Sequence, residues 1–256
     1  MILPMAATSD ETIDGAGPLP ELGDLLGVWA HPDDETYLTS GLMAHAVRRG
    51  HRVVCVTATR GEEGSMDEEP WPTATLGRVR EAELKRSLEI LGVTDHRWLD
   101  YHDGTCASID LDEGIGRIQA LIEEVEPRSV FTFGPDGMTG HPDHKAVSAW
   151  TTEAFARAAP SGARLYHATT TPEWVEEFAP RMSQFNVFME PGTPPVTPRD
   201  QLAIDFQLPT ELLELKVKAF EAHVSQLEGM MNTFGNDFFR EGYKSEVFVL
   251  GAERPR

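Results

Sequence analysis

Short apolar runs alternate along this chain with longer segments whose apolar residues recur every three to four positions. Residues 25–30 (LLGVWA) form the first such run and predict a strand buried on both faces. Over residues 36–49, Leu38, Leu42 and Ala46 share one helical face and Gly50 supplies the stop. The valine-rich stretch 52–59 predicts a second strand, residues 60–72 a polar loop, and residues 76–91 a helix ended by Gly92. A short strand at 96–99 follows, then a helix over 112–126 stopped by Pro127, a strand at 129–133 and a glycine-rich loop at 134–140. That loop opens into a helix over residues 142–159.

This alternation predicts an α/β fold, a Rossmann-like, doubly wound and mainly parallel sheet with helices on both faces and right-handed crossovers. The last third is less regular. Strands are expected at 164–169, 202–206 and 246–250, and one long helix at 209–227. Between 170 and 200 lie Pro172, Pro180, Pro191, Pro194, Pro195 and Pro198, which predict an elaborate loop over the sheet. With no internal repeat and no linker composition, residues 23–256 read as a single domain behind a loose tail at 1–22.

Composition narrows the function. The formal net charge of −20, from 42 acidic and 22 basic residues, repels phosphate backbones and anionic membranes. Nucleic acid and membrane are therefore not expected as partners. Two cysteines, Cys55 and Cys106, make no disulfide framework. The first twenty residues carry Asp10, Glu11 and Asp14 and lack the pattern of a secretory signal. No apolar run approaches the ~20 residues that span a bilayer. The expectation is a cytoplasmic protein; nothing in the chain indicates its oligomeric state.

Two segments carry the chemistry: His31-Pro32-Asp33-Asp34-Glu35 directly after the first strand, and Gly140-His141-Pro142-Asp143-His144 after the fourth. In the common doubly wound order 3-2-1-4-5-6 those two strands are neighbours, and the crevice beyond their carboxyl ends is where ligands bind. The two motifs then meet although their histidines are 110 residues apart. His31, Asp34 and His144 make a three-ligand set that suits Zn²⁺ best, with Fe²⁺, Co²⁺ and Mn²⁺ accepted by the same donors. Asp33 is left over as a general base and His141 as a general acid, with Asp143 expected to hold the His141 imidazole in one tautomer. Ligands plus a spare acid and base describe a hydrolytic site.

These residues resemble the LmbE/PIG-L family of zinc-dependent deacetylases that act on N-acetylglucosamine conjugates. The resemblance runs from about residue 25 to 250. It implies the same assignment: zinc ligands His31, Asp34 and His144, base Asp33, acid His141, with Asp143 behind it. It extends to the loop Thr59 to Gly64, to Arg80 and Glu83 as an Arg-x-x-Glu pair, and to Asp103-Gly104. Arg80 is similar to a sugar-hydroxyl contact and Asp103 to a substrate-loop aspartate. On the expected late helix Lys216, Ala219, His223 and Gln226 match a family pattern, and their offsets of 3, 7 and 10 put them on one face, which implies His223 and Gln226 as site-lining residues. Thr139 stands where some relatives acting on thiol-cofactor precursors carry a tyrosine, so a phenol that assists the oxyanion is absent here.

The expected reaction is removal of an acetyl group from an amino-sugar conjugate. An amidase for a bulkier acyl group on a thiol conjugate or glycosylated metabolite is the alternative within the class. A non-catalytic sugar-binding protein is the alternative outside it, and the complete set of ligands, base and acid argues against that reading. The first strand also lacks the Gly-x-Gly-x-x-Gly that a dinucleotide-binding site requires.

Overall fold

Residues 21–65 and 67–255 are described by the computed structural model, so all but the last two residues of the expected tail lie outside it. Seven strands form one sheet: β1 (Leu25–Trp29), β2 (Val53–Thr57), β3 (Asp95–Trp98), β4 (Ser129–Phe133), β5 (Arg164–Ala168), β6 (Ile204–Gln207) and β7 (Ser245–Glu253). They lie in the order β3-β2-β1-β4-β5-β7-β6. The first five pair in parallel, as the alternation predicts, whereas β7 runs antiparallel to both β5 and β6. The expected 3-2-1-4-5-6 order is thus corrected at one edge, where the last strand inserts between β5 and β6. Its length explains this. At nine residues β7 pairs Phe248 to Glu253 with β5 and Ser245 to Phe248 with β6, leaving the four-residue β6 as the edge.

The helical segments are α1 (Asp34–Arg48), α2 (Thr73–Leu91), α3 (Leu111–Val125), the short turn α4 (Gly137–Gly140), α5 (Pro142–Ala158), α6 (Pro172–Glu177), α7 (Ala179–Met182), α8 (Thr210–Ala222), α9 (Val224–Phe234) and α10 (Asn236–Gly242). Helices α3 and α5 pack together over β1 and β4, while α1, α2 and α8 group on the other side. Every residue of β1, β2 and β4 is buried, the outcome of covering both faces. Gly114 lets α3 approach α5, because a Cβ there would sit 2.3 Å from the Trp150 indole.

The single helix expected over 209–227 is two helices, broken at His223 (φ −92°, ψ 57°). The cause lies far away in sequence. Glu83 of α2 accepts the Ser225 N–H at 2.8 Å and its hydroxyl at 2.7 Å, capping the start of α9 with a carboxylate from outside. Glu83 is therefore a buried cap, and its Arg-x-x-Glu partner Arg80 is buried as well.

The stretch expected as a loop at 170–200 folds into α6, α7 and short 3₁₀ turns. With α9 and α10 it builds a second apolar cluster, whose buried members include Phe178, Met182, Phe220, Met230, Phe239 and Tyr243. A cavity of about 380 Å³ opens between this cluster and the carboxyl ends of β1, β4 and β5. Among the described residues, no helix is long and apolar enough to cross a membrane.

Candidate active site

The first motif is a tight turn from β1 into α1. Asp34 Oδ2 accepts the N–H groups of His31 at 2.8 Å and Ala30 at 3.2 Å. This holds Asp34 against its own turn and leaves Oδ1 free. Asp33 at the helix N-cap has φ 113°, a conformation that costs a non-glycine residue on the order of 1–3 kcal/mol. Its N–H is tied to Glu35 Oε2 at 3.0 Å. Glu35 is fully buried and accepts the Thr36 hydroxyl at 2.6 Å, with His223 Nε2 3.4 Å away. Burial disfavours the Glu35 carboxylate, but His223 and the local hydrogen bonds outweigh it and hold its pKa below the usual value.

The second motif starts α5 beside it. The His144 ring stacks on Phe133, at the end of β4, with centroids 4.1 Å apart and planes 8° apart. Its Nδ1 donates to the Gly137 carbonyl at 2.9 Å, which leaves the Nε2 lone pair free. His31 Nδ1 lies 3.0 Å from His144 Nε2 and 3.8 Å from Asp34 Oδ2, and His144 Nε2 lies 3.5 Å from Asp34 Oδ1. A tetrahedral ion with ligand bonds near 2.0–2.1 Å spaces its donors about 3.3 Å apart. His31, Asp34 and His144 are therefore candidate donors for a divalent cation, beside two sets whose donor atoms all lie within 4.8 Å of one another: His31, His141 and His144, and His31, Asp103 and Asp143.

Three carboxylates, those of Asp34, Asp103 and Asp143, surround the His31 ring. On the far side of the His31 ring, Nε2 faces Asp103 Oδ1 at 3.0 Å and Asp143 Oδ2 at 3.5 Å. Burial alone would push the His31 pKa down, but Asp103, Asp143 and Asp34 together raise it to about 10. The same field that holds a proton on His31 favours a metal cation at Nδ1. Carboxylates behind a ligating imidazole are the usual outer support of such a site. His31 in turn holds Asp103 and Asp143 below the usual carboxylate range against the opposing effect of burial.

Asp143 does not hold the His141 imidazole with its carboxylate, as the sequence reading expects. Its oxygens accept the N–H groups of Gly104 at 2.8 Å and Cys106 at 3.0 Å and face His31. The backbone N–H of Asp143 does the orienting, donating to His141 Nδ1 at 3.1 Å. The ring therefore carries its neutral-state proton on Nε2. His141 packs edge-on to His31, with centroids 4.7 Å apart, and burial together with the His31 charge keeps its pKa low.

Asp33 lines the same cavity as His31, Asp34 and His144. Burial raises its pKa to about 7, opposed by Arg80 and reinforced by Asp34. Arg80, Asp103, Thr139 and Gln226 also line the cavity. His223 does not. It is fully buried behind the Asp33–Glu35 turn, bonded to Thr36 Oγ1 at 3.1 Å, and its Nδ1 has no partner among the described residues. The break at 223 also ends the polar face expected for Lys216, Ala219, His223 and Gln226. Lys216 is fully buried, 2.7 Å from Glu246 and 2.8 Å from the Tyr37 carbonyl.

The PIG-L family profile, described as GlcNAc-PI de-N-acetylase, matches residues 26–155 and so contains both motifs. The chain belongs to this family. It is 31% identical to a 1D-myo-inositol 2-acetamido-2-deoxy-alpha-D-glucopyranoside deacetylase of Mycobacterium sp. (strain JLS), over 91% of this chain and 85% of the relative. Among solved structures it resembles the N,N'-diacetylchitobiose deacetylase from Pyrococcus horikoshii, at 21% identity and a TM-score of 0.64, covering 90% of this chain and 84% of that one. It also resembles the 4-carboxy-2-hydroxymuconate hydratase from Pseudomonas putida KT2440, at 15% identity and a TM-score of 0.62, covering 92% and 98%. A deacetylase and a hydratase at nearly equal similarity mean that the fold alone does not name the reaction.

In this PIG-L family member several residues around the site escaped the sequence reading. Phe133 orients His144, Glu35 holds the Asp33 backbone, and Glu246 accepts Gly41 and Leu42 N–H groups at 2.7 and 2.8 Å besides neutralising Lys216. The cavity wall formed by Trp174, Met182, Phe185, Val187 and Phe188 lies within the proline-rich stretch expected over the sheet, although none of these five residues stands out in the sequence. Its one signal in the sequence is the density of apolar residues within a proline-rich stretch.

Proposed function

We propose that this protein is a metal-dependent amidohydrolase that removes the acetyl group from an N-acetylglucosamine-type conjugate. The approach of His31 Nδ1 and Asp34 Oδ1 to His144 Nε2, at 3.0 and 3.5 Å, in the wall of a cavity that Asp33 also lines, carries this reading. His31, Asp34 and His144 hold the ion, with zinc the first expectation and Fe²⁺, Co²⁺ or Mn²⁺ compatible with the donors. A divalent ion bound there supplies Lewis acidity and makes water ionisable near neutral pH.

Asp33 then takes the proton from the attacking water. Burial raises its pKa above the usual carboxylate value, which makes it a stronger base than an exposed aspartate. His141, with its proton on Nε2, donates a hydrogen bond to the oxygen that gains charge, and the proton Asp33 took from the water passes to the departing nitrogen. The amide C–N bond breaks, releasing acetate and a free amine. Arg80 fixes Asp33, while Thr139, Asp103 and Gln226 offer hydrogen bonds to the sugar. The relatives' substrates, amino sugars bearing an N-acetyl group, support the choice of substrate class. Residues 23–256 act as one catalytic domain, because both motifs and the late helices attach to a single sheet. The unpaired Cys55 and Cys106 fit a cytoplasmic setting.

The test is acetate release from a panel of N-acetylglucosamine conjugates by zinc-loaded enzyme. Metal-dependent acetate production that chelation abolishes and zinc restores is expected. Metal binding without acetate from any member of the panel would overturn the reading.

A further inference from the structure

The catalytic groups occupy one part of the cavity, and the rest of its wall has a different character. The second apolar cluster presents Trp174, Met182, Phe185, Val187, Phe188 and Met230 to the same space. Phe185, Val187 and Phe188 are only half-buried, although they pack on this cluster. At the rim Met189 is 56% exposed. Large apolar groups open to water on a cavity wall are the informative exception to burial.

This wall is fixed to the catalytic motif. The Met189 N–H donates to the Thr139 carbonyl at 2.8 Å, the Thr193 hydroxyl reaches the same carbonyl at 3.3 Å, and Lys145 pairs with Glu190. The segment carrying Phe185 to Met189 is therefore held beside Thr139, two residues before His141. A fully hydroxylated partner such as a cyclitol would have to leave its hydroxyls facing aromatic and thioether groups, which costs binding for each one left unpaired. Asn186, Gln226 and Ser245 supply some polar contacts in the cavity, but the wall formed by the second cluster is otherwise apolar. A cavity of about 380 Å³ is within the range of small-molecule sites, roughly 300–1,000 Å³.

We propose that the substrate carries an apolar group, aromatic or short alkyl, attached to the amino sugar and docked against Trp174, Met182, Phe185, Val187, Phe188 and Met230. This rests on the hydrolytic reading above and deepens it. The apolar group arrives either as the aglycone or as part of the N-acyl chain. Three thioether side chains, Met182, Met189 and Met230, let the wall adapt to the shape of either.

Three compounds separate the cases: methyl N-acetylglucosaminide, its benzyl glycoside, and the methyl glycoside with phenylacetyl in place of acetyl. The expected result is a kcat/KM for one of the two aromatic compounds roughly tenfold or more above the methyl N-acetyl parent. Phe185→Ser and Phe188→Ser are each expected to reduce that ratio to about threefold or less. Which aromatic compound gains tells aglycone from acyl docking. Equal kcat/KM for all three overturns the apolar proposal and leaves the hydrolase reading standing. If none is hydrolysed, calorimetry of the zinc-loaded enzyme decides. Tighter binding of an aromatic compound, with a negative heat-capacity change that Phe188→Ser diminishes, sustains the apolar wall. Equal or absent binding overturns it.

Discussion

Arg80 Nη2 stands 3.2 Å from Asp33 Oδ2 and donates to the Pro32 carbonyl at 2.6 Å, while its Nη1 donates to the Gly61 carbonyl at 3.0 Å. Gly61 lies so close behind the guanidinium that a Cβ would meet it at 2.3 Å. A buried cation is thus clamped by two carbonyls with one edge turned to the proposed base. It opposes the burial that raises the Asp33 pKa. Arg80→Met removes that opposition, so Asp33 holds its proton to higher pH. The acidic limb of kcat/KM should move to higher pH, with a loss of roughly tenfold or more at pH 6. Arg80→Lys keeps the charge but not the two-carbonyl clamp, and should shift the limb less. A pH–rate profile of the zinc-loaded variants checks both; a limb that stays in place would detach Arg80 from the base.

Ligand and base are separable by metal analysis. Asp33→Asn removes no donor from the His31–Asp34–His144 triangle, so it should retain one equivalent of metal. It should lose about 10²–10⁴-fold in kcat, the range expected when an acid–base group is removed. His144→Ala removes one corner of the triangle and should leave the protein unable to retain metal through gel filtration. Full occupancy in His144→Ala, or full activity in Asp33→Asn, would reverse these assignments.

Much of this site was legible because its residues are local to strand ends. The runs before His31 and after Pro127 are apolar on both faces, so they read as central strands, and their adjacency follows from the doubly wound order. The features that were not legible depend on partners remote in sequence. Nothing near Ser225 announces a new helix, since Glu83, 142 residues earlier, supplies its cap. Nothing near Lys216 marks it as buried, because Glu246, which neutralises it, arrives on β7 30 residues later. The Asp143 error had another origin. An aspartate two residues after a histidine offers both a carboxylate and an N–H, and only the direction of the chain at the start of α5 decides which one the imidazole meets.

Glu35 and His223 form a buried pair behind the strained turn, and they touch the reaction only through the Asp33 backbone. Glu35→Gln keeps one oxygen to accept the Asp33 N–H but lowers the charge of that bond. Glu35→Ala removes the acceptor and should release the φ 113° conformation. The alanine variant should lose kcat by on the order of tenfold to a hundredfold with little change in KM, and the glutamine variant should recover most of it. A purely structural role would instead lower the melting temperature of both variants and leave the kcat of the folded fraction intact.

Lys216 and Glu246 give the sharpest test of stability. The pair is wholly buried at 2.7 Å, and Glu246 spends its remaining capacity on the Gly41 and Leu42 N–H groups inside α1. Burial pulls the Lys216 pKa down and Glu246 pulls it back up, which leaves a net lowering. Removing one member strands the other charge in the interior, at a cost of about 3–5 kcal/mol. Lys216→Met should therefore lower the urea midpoint markedly with an unchanged slope. The double variant Lys216→Met/Glu246→Gln removes both charges while the amide oxygen still accepts one of the α1 N–H groups, and it should regain a large part of that loss. If instead the double variant is less stable than Lys216→Met alone, the carboxylate's bonds to the two N–H groups of α1 outweigh the charge left behind, and the ion pair is secondary to that anchor.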